Sequence, residues 1–279
     1  MSAVRRPALR YHGGKWRLAP WVISHFPRHR VYVEPFGGAG SVLLQKPRVY
    51  SEVLNDLDGE IVNFFRVLQD PRQSVRLAEL LHLTPFSRAE WKASYEPTDD
   101  PVERARRTCI RSFMGFGSDS VRENRRTGFR TQGSRCGRTP ALDWSRYPAE
   151  IPILVERMRT VMIEQKNATA VILGHDGPST LFYIDPPYAH ATRSDVRSYS
   201  HELSDEGHVE LADVLRGAEG FVVISGYRCP LYDELYAGWQ RVDRDVIVFR
   251  ATRRVESLWL SPRTAAALDR ESFFGEPHP

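Results

Sequence analysis

Leu181-Phe182-Tyr183-Ile184-Asp185-Pro186-Pro187-Tyr188 is a run of four apolar or aromatic residues closed by a carboxylate and a proline pair. Such a run describes a short buried strand that stops at its carboxyl end, the edge where open α/β sheets place their ligands. Asp185 therefore stands where chemistry is expected. Pro186 and Pro187 donate no N–H and have fixed φ, so their carbonyls are rigidly aimed at a donor from elsewhere. Tyr188 adds a flat ring. A carboxylate, an aimed carbonyl and an aromatic face together suit a planar ring bearing an amino group, such as adenine or cytosine turned out of a duplex. A strand that merely ends in a proline turn would contain the same residues, so the surroundings decide.

Upstream, Val31-Tyr32-Val33 reads as another short strand and runs into Glu34-Pro35-Phe36-Gly37-Gly38-Ala39-Gly40, then a helical Ser41-Val42-Leu43-Leu44. Strand, glycine turn and helix make a nucleotide-binding βα unit, in which missing side chains admit a cofactor against the main chain. Phe36-x-Gly38-x-Gly40 lacks the third glycine of the dinucleotide fingerprint, which argues against a pyrophosphate site. Residues 49–54 form the next strand and lead into Asn55-Asp56-Leu57-Asp58. Asp58 serves as cap for a helix over 59–68, which leaves Asp56 to accept hydrogen bonds from ribose hydroxyls. Near the start, Tyr11-His12-Gly13-Gly14-Lys15 pairs two glycines with a lysine able to reach a carboxylate or phosphate, and a short helix over 18–26 follows.

Beyond Asp70-Pro71 the pattern turns helical and polar over 73–81, 87–95 and 100–113, then loses its period over 114–138. Gly, Ser and Arg dominate there, with Phe113, Phe116 and Phe129 interleaved. Between Arg104 and Arg138 ten arginines stand against two acids, Asp119 and Glu123, so this segment carries +8 and the rest of the chain −4 of a total of +4. A basic arm of this kind meets a polyanion, with phosphate backbone the leading candidate. Arg111, Arg122, Arg125, Arg126 and Arg130 are the candidate contacts, and exposed aromatics among them could wedge into a base stack. The sheet resumes over 161–164 and 181–185. A helix over 204–215 with Ser204 as cap, a buried strand over 221–225 and an antiparallel pair over 241–250 and 255–260 close the chain. The order predicts an α/β fold, a mixed sheet covered by helices on both faces and interrupted by a helical insert. The divisions are 1–68 with 155–279 for the sheet domain and 69–154 for the insert.

At 279 residues the chain is long enough for one large α/β domain with an inserted subdomain. Cys109, Cys136 and Cys229 are scattered, with no Cys-x-x-Cys pair, so neither a zinc site nor a disulfide framework is expected and a reducing cytoplasm fits. No apolar run approaches the length of a membrane span. His12, His190 and His201 show no metal-ligand spacing, and no metal is expected. A monomer or weak dimer is.

Tyr11-x-Gly13-Gly14-Lys15, Glu34-Pro35-Phe36-x-Gly38-Ala39-Gly40-Ser41, Asn55-Asp56, Asp185-Pro186-Pro187-Tyr188 and Arg254-Val255-Glu256-Ser257-Leu258-Trp259 follow one another in the order and spacing of the Dam-type DNA adenine methyltransferases, which the chain resembles at both ends. The resemblance implies a Rossmann-like methyltransferase fold and S-adenosyl-L-methionine as cofactor, contacted by the residues matching Tyr11, Lys15, Asp56 and Asp185. It also implies that the turn at 36–40, with Phe36, Gly38 and Gly40, packs against the cofactor's methionine part. Double-stranded DNA is the implied partner, and Asp185, Pro186, Pro187 and Tyr188 the implied catalytic corner for methyl transfer to the amino group of a flipped adenine. In the insert the chain departs from the family. Ser112-Phe113-Met114-Gly115-Phe116 stands where the GATC-reading member has Asn-Arg-Tyr-Gly-Tyr, so no GATC specificity follows, although Arg126-Thr127-Gly128-Phe129 looks like the recognition hairpin. Amino-methylation of cytosine uses the same geometry and is the nearest rival. Ring-carbon methylation needs a nucleophilic cysteine that the catalytic strand lacks, and protein glutamine methylation leaves the arginine-rich insert unexplained. A DNA-binding module with a retained cofactor pocket is the reading outside enzymes.

Overall fold

In the computed structural model, residues 3–117, 121, 127–131, 139–187, 203–247 and 253–273 are described. Tyr188, Arg122, Arg125 and Arg126 lie outside them. Along the chain come α1 (Ala19–Ile23), β1 (Val31–Glu34), β2 (Ser51–Asn55), α2 (Gly59–Gln69), α3 (Pro71–Leu83), α4 (Arg88–Ala93), α5 (Pro101–Met114) and α6 (Pro140–Ser145). A single 3-10 turn, Pro148–Glu150, leads into α7 (Ile151–Met158), β3 (Val161–Glu164), α8 (Ala168–His175), β4 (Thr180–Ile184), α9 (Asp205–Gly217), β5 (Phe221–Gly226), α10 (Pro230–Leu235), β6 (Gln240–Ile247), β7 (Arg253–Leu260) and α11 (Pro262–Phe273). The seven strands form one mixed sheet in the order β3-β2-β1-β4-β5-β7-β6. Neighbours β2, β1, β4 and β5 run parallel, while β7 is antiparallel to both β5 and β6. This is the expected α/β, Rossmann-like class.

Central strand β4 is buried on both faces, as a strand covered on both sides must be, with all five of its residues buried. Tight turns cannot join parallel neighbours: α9 makes the crossover from β4 to β5, while β1 reaches β2 through the long turn-containing loop over 35–50.

The chain divides into two compact units. One holds residues 17–37, 46–57 and 166–279. Its core gathers Val33, Val53, Phe182, Ile184, Val222, Ile224 and Trp259 from alternate strand positions against Ile172, Leu211, Leu215 and Tyr232 of the helices. The other holds 1–16, 38–45 and 58–165. There α2 starts on its Asp58 cap, whose carboxylate accepts from the Glu60 N–H at 2.9 Å, and packs on α5, α3 and α7. The segment before α1 belongs to this unit because it is stitched to α5 and to the turn after α6. Arg10 N–H donates to Ser112 Oγ at 2.7 Å and the Tyr147 hydroxyl donates to the Ala8 carbonyl at 2.7 Å. These packing units therefore have different boundaries from the sequence-based division at 68 and 155.

Two expected helices are cut short. Over 41–44 there is only a turn, closed by Leu44 N–H on the Gly40 carbonyl at 2.9 Å. Pro47 supplies no N–H and turns the residue before it away from helical geometry, so the turn cannot propagate. Helix α1 occupies 19–23 of the expected 18–26; past its end the His25 and Phe26 N–H groups reach back only three residues, to the Val22 and Ile23 carbonyls, so the chain tightens into turns before Pro27.

Candidate active site

Register levels the carboxyl ends of the parallel strands. Glu34 pairs with Leu54, Val33 with Phe182 and Ile184 with Ile224. The residues that follow, Pro35 and Phe36, Asp56, Asp185 and Ser225, thus come out along one edge. The turn after β1 is fastened to the end of β2: Gly37 N–H donates to the Asn55 carbonyl at 2.7 Å. A Cβ on Gly37 would lie 2.4 Å from Leu54 Cδ1 and 3.0 Å from the Asn55 oxygen, so this close approach requires glycine. Asn55 is buried and brackets the edge. Its Nδ2 donates to the carbonyls of Pro35 at 2.8 Å and Lys166 at 3.0 Å, and its Oδ1 accepts from Lys166 N–H at 2.8 Å. Asp56, one residue further out, is half-buried, and Phe36 packs against the core. Asn55 was legible only as the neighbour of an acid. A polar amide at a buried strand end was the available signal, since a buried amide needs partners.

Asp185 follows β4 directly and is half-buried, with Pro186 buried beside it. Its Oδ1 accepts from the Ser225 hydroxyl at 2.8 Å, and Ser225 Oγ is 3.0 Å from the Tyr183 hydroxyl. Sequence reasoning missed both hydroxyls. On β1 the buried Tyr32 hydroxyl donates to the buried Glu34 carboxylate at 3.1 Å, and burial, reinforced by that negative charge, drives the Tyr32 phenol well above its ordinary value.

In the helical unit, Tyr11 lies on Gly38. A Cβ there would be 2.9 Å from the ring's Cε1, and Gly38 has φ +48°. Gly40 and Gly13 also have positive φ, +63° and +73°. Lys15 is buried, with Nζ donating to the Gly13 carbonyl at 3.2 Å.

The basic insert differs from expectation in what it exposes. Arg111 is an interior strut rather than a surface contact: it is 1% exposed and donates to the carbonyls of Val121 at 2.9 Å and Ser94 at 2.6 Å and to Glu60 at 2.8 Å. Burial alone would raise the Glu60 carboxyl, but the guanidiniums of Arg104 and Arg111 hold it below the usual range. The cause of this inward turn is position, because Arg111 sits on the buried face of α5. Arg130 is half-buried 3.5 Å from Asp143, and its N–H donates to the Met114 carbonyl at 2.7 Å. With Phe116 N–H donating to the Gly128 carbonyl at 2.6 Å, that bond makes a small antiparallel ladder where the recognition hairpin was expected. Phe113 packs on Tyr147 and Phe129 on Phe86, so of the three interleaved phenylalanines only Phe116 is well exposed. No helix among the described residues is long and apolar enough to cross a membrane, and no group of three His, Cys, Asp or Glu side chains among them could hold a metal ion.

An acid beyond β2, an aromatic at the turn after β1 and a glycine in that turn whose Cβ would collide with Leu54 suit a nucleoside-bearing ligand without a pyrophosphate. The chain is 27% identical over 250 residues to the Type II methyltransferase M1.LlaDCHI of Lactococcus lactis subsp. cremoris, covering 83% of this chain and 84% of that one. It is 25% identical over 256 residues to a DNA adenine methylase of Vibrio cholerae, with 85% and 86% covered. To the DNA adenine methylase of Escherichia coli K12 it is 24% identical over 220 residues, covering 76% of each. Residues 11–248 match the family described as D12 class N6 adenine-specific DNA methyltransferase, and with that match spanning most of its length the chain belongs to this family.

Proposed function

We propose that the chain methylates N6 of an adenine turned out of duplex DNA, with the corner Asp185-Pro186-Pro187-Tyr188 as the reacting site. The observation that carries this reading is the Asp185 carboxylate, half-buried at the carboxyl edge of the sheet and held from the side by Ser225. When bound, S-adenosylmethionine supplies an electrophilic methyl group on a sulfonium. The adenine amine is a poor nucleophile because its lone pair is shared with the ring. Asp185 and the Pro186 carbonyl accept its two N–H groups, which favours a pyramidal nitrogen and aims the lone pair. As the new N–C bond forms, with the methyl–sulfur bond breaking and the sulfur leaving as a neutral thioether, the nitrogen would become acidic, and the Asp185 carboxylate would stabilise the growing positive charge and accept the proton. Pro187 keeps the corner rigid, and Tyr188 stacks on the extruded base, worth about 1–3 kcal/mol. Tyr11, Lys15, Phe36, Gly38, Gly40, Asp56 and Asp185 are the residues that would hold the cofactor. Segment 69–154 serves the DNA through Arg122, Arg125, Arg126 and Arg130, while 1–68 and 155–279 serve catalysis.

Ring-carbon methylation of cytosine finds no support. Cys229 is buried at the start of α10 and burial pushes its thiol up, the opposite of an activated nucleophile. The test is nucleoside mass spectrometry of mixed-sequence duplex DNA after reaction. N6-methyladenine is expected with the wild type and none with Asp185→Ala, which should retain weakened cofactor binding. N4-methylcytosine as the product, or wild-type turnover by Asp185→Ala, would overturn the reading.

A further inference from the structure

We propose that Ser225, backed by Tyr183, is a positioning residue that sets the plane of the Asp185 carboxylate for methyl transfer; the inference rests on the reading of Asp185 given above. The parallel register pairs Ile184 with Ile224, so the next residues, Asp185 and Ser225, are neighbours across β4 and β5. Side chains alternate between faces along a strand, which puts Tyr183, Asp185 and Ser225 on the same side. Ser225 and Tyr183 are both 0% exposed, in strands that otherwise read Thr-Leu-Phe-Tyr-Ile and Phe-Val-Val-Ile-Ser-Gly. Hydroxyls in such surroundings carry a desolvation cost unless they are paired, so their presence there calls for a reason.

Proton counting gives the pair a direction. An ionised carboxylate only accepts, so the single Ser225 proton goes to Asp185 Oδ1 at 2.8 Å. Ser225 Oγ then accepts from the Tyr183 hydroxyl at 3.0 Å. The chain runs Tyr183 to Ser225 to Asp185. An aspartate torsion about its last bond is broad and two-fold, and Asp185 lies just past the end of its strand. Tying one oxygen to β5 removes that rotation, and the carboxylate then meets the substrate amine in one orientation. Geometry of this kind matters to rate, since a misplacement of about 1 Å at a reacting group can cost about 100-fold.

The test compares Ser225→Ala, Tyr183→Phe and the double variant with the wild type, each assayed for single-turnover formation of N6-methyladenine and for cofactor and DNA affinity. Ser225→Ala should slow transfer by about 10- to 100-fold, with both affinities within about twofold of wild type. Tyr183→Phe should show a smaller loss in the same step. Because Tyr183 acts through Ser225, the double variant should be no slower than Ser225→Ala alone. Wild-type transfer by Ser225→Ala, or losses that multiply in the double variant, would overturn the inference while leaving adenine methylation intact. Should Ser225→Ala fail to fold, Tyr183→Phe alone decides: a slower transfer at unchanged affinity supports the inference and an unchanged rate refutes it. A wild type that forms no N6-methyladenine in this assay would instead bring down the reading of the site.

Discussion

His29 shows how one side chain ties the sheet unit to pH. Its Nδ1 is 2.7 Å from the Pro27 carbonyl and its ring lies against Phe26 and Tyr32. Burial lowers its pKa from the ordinary 6.5 to about 4, against the opposing pull of the Pro27 carbonyl. The unfolded chain therefore binds a proton on His29 at a higher pH than the folded one. The stability this group contributes is fully present above 6.5 and is lost as pH falls from there through about 4. His29→Gln should flatten the fall in denaturant-measured stability across that window relative to wild type, and parallel curves would refute the assignment. At the same scale, Asp185 and Asp56 were legible because acids that follow apolar runs stand at strand ends. The partners of Asn55 were not, since Lys166 lies 111 residues away.

Elements were legible where a pattern repeats within a few residues. The apolar runs of β1, β4 and β5, the caps Asp58 and Ser204 and the closing antiparallel pair all form as expected. Helix α8 was not legible, because Ala-Thr-Ala-Val-Ile-Leu-Gly-His has no polar stripe and reads equally well as a strand. Nor does an element's pattern reveal a buried ion pair. Lys46 and Glu52 meet at 2.7 Å with side chains 1% and 2% exposed, and Lys46 Nζ sits 4.6 Å from the centre of the Tyr32 ring. Lys46→Met would take from Glu52 its buried 2.7 Å ion-pair partner and should cost about 3–5 kcal/mol by urea denaturation. Lys46→Met with Glu52→Leu should recover most of that loss, because both members of the buried pair are then apolar. A double variant as unstable as the single one would sink this account.

For the whole molecule, the arginine excess separates into two kinds with different expected behaviour. Replacing Arg125, Arg126 and Arg130 with Ala should weaken DNA binding and reduce the slope of log affinity against log salt by about one for each phosphate that is no longer neutralised. Arg111→Ala should leave that slope unchanged. It should instead destabilise the protein by about 1–3 kcal/mol for each buried carbonyl left without this donor, since the Ser94 and Val121 carbonyls lose it, while Glu60 keeps Arg104 and the Thr108 hydroxyl. Equal salt slopes for both sets of variants would erase the distinction. The sequence by itself determined the strand and helix alternation, the glycine turn, the acids at the strand ends and the basic insert, because each is written in neighbouring residues. Only the tertiary structure decided that Arg111 turns inward, that residues 1–16 pack with the helices, and that a serine 40 residues beyond Asp185 holds its carboxylate. Those are pairings across long stretches of chain, made when strands come into register and helices bury their faces. A local pattern bears no mark of which distant residue will complete it.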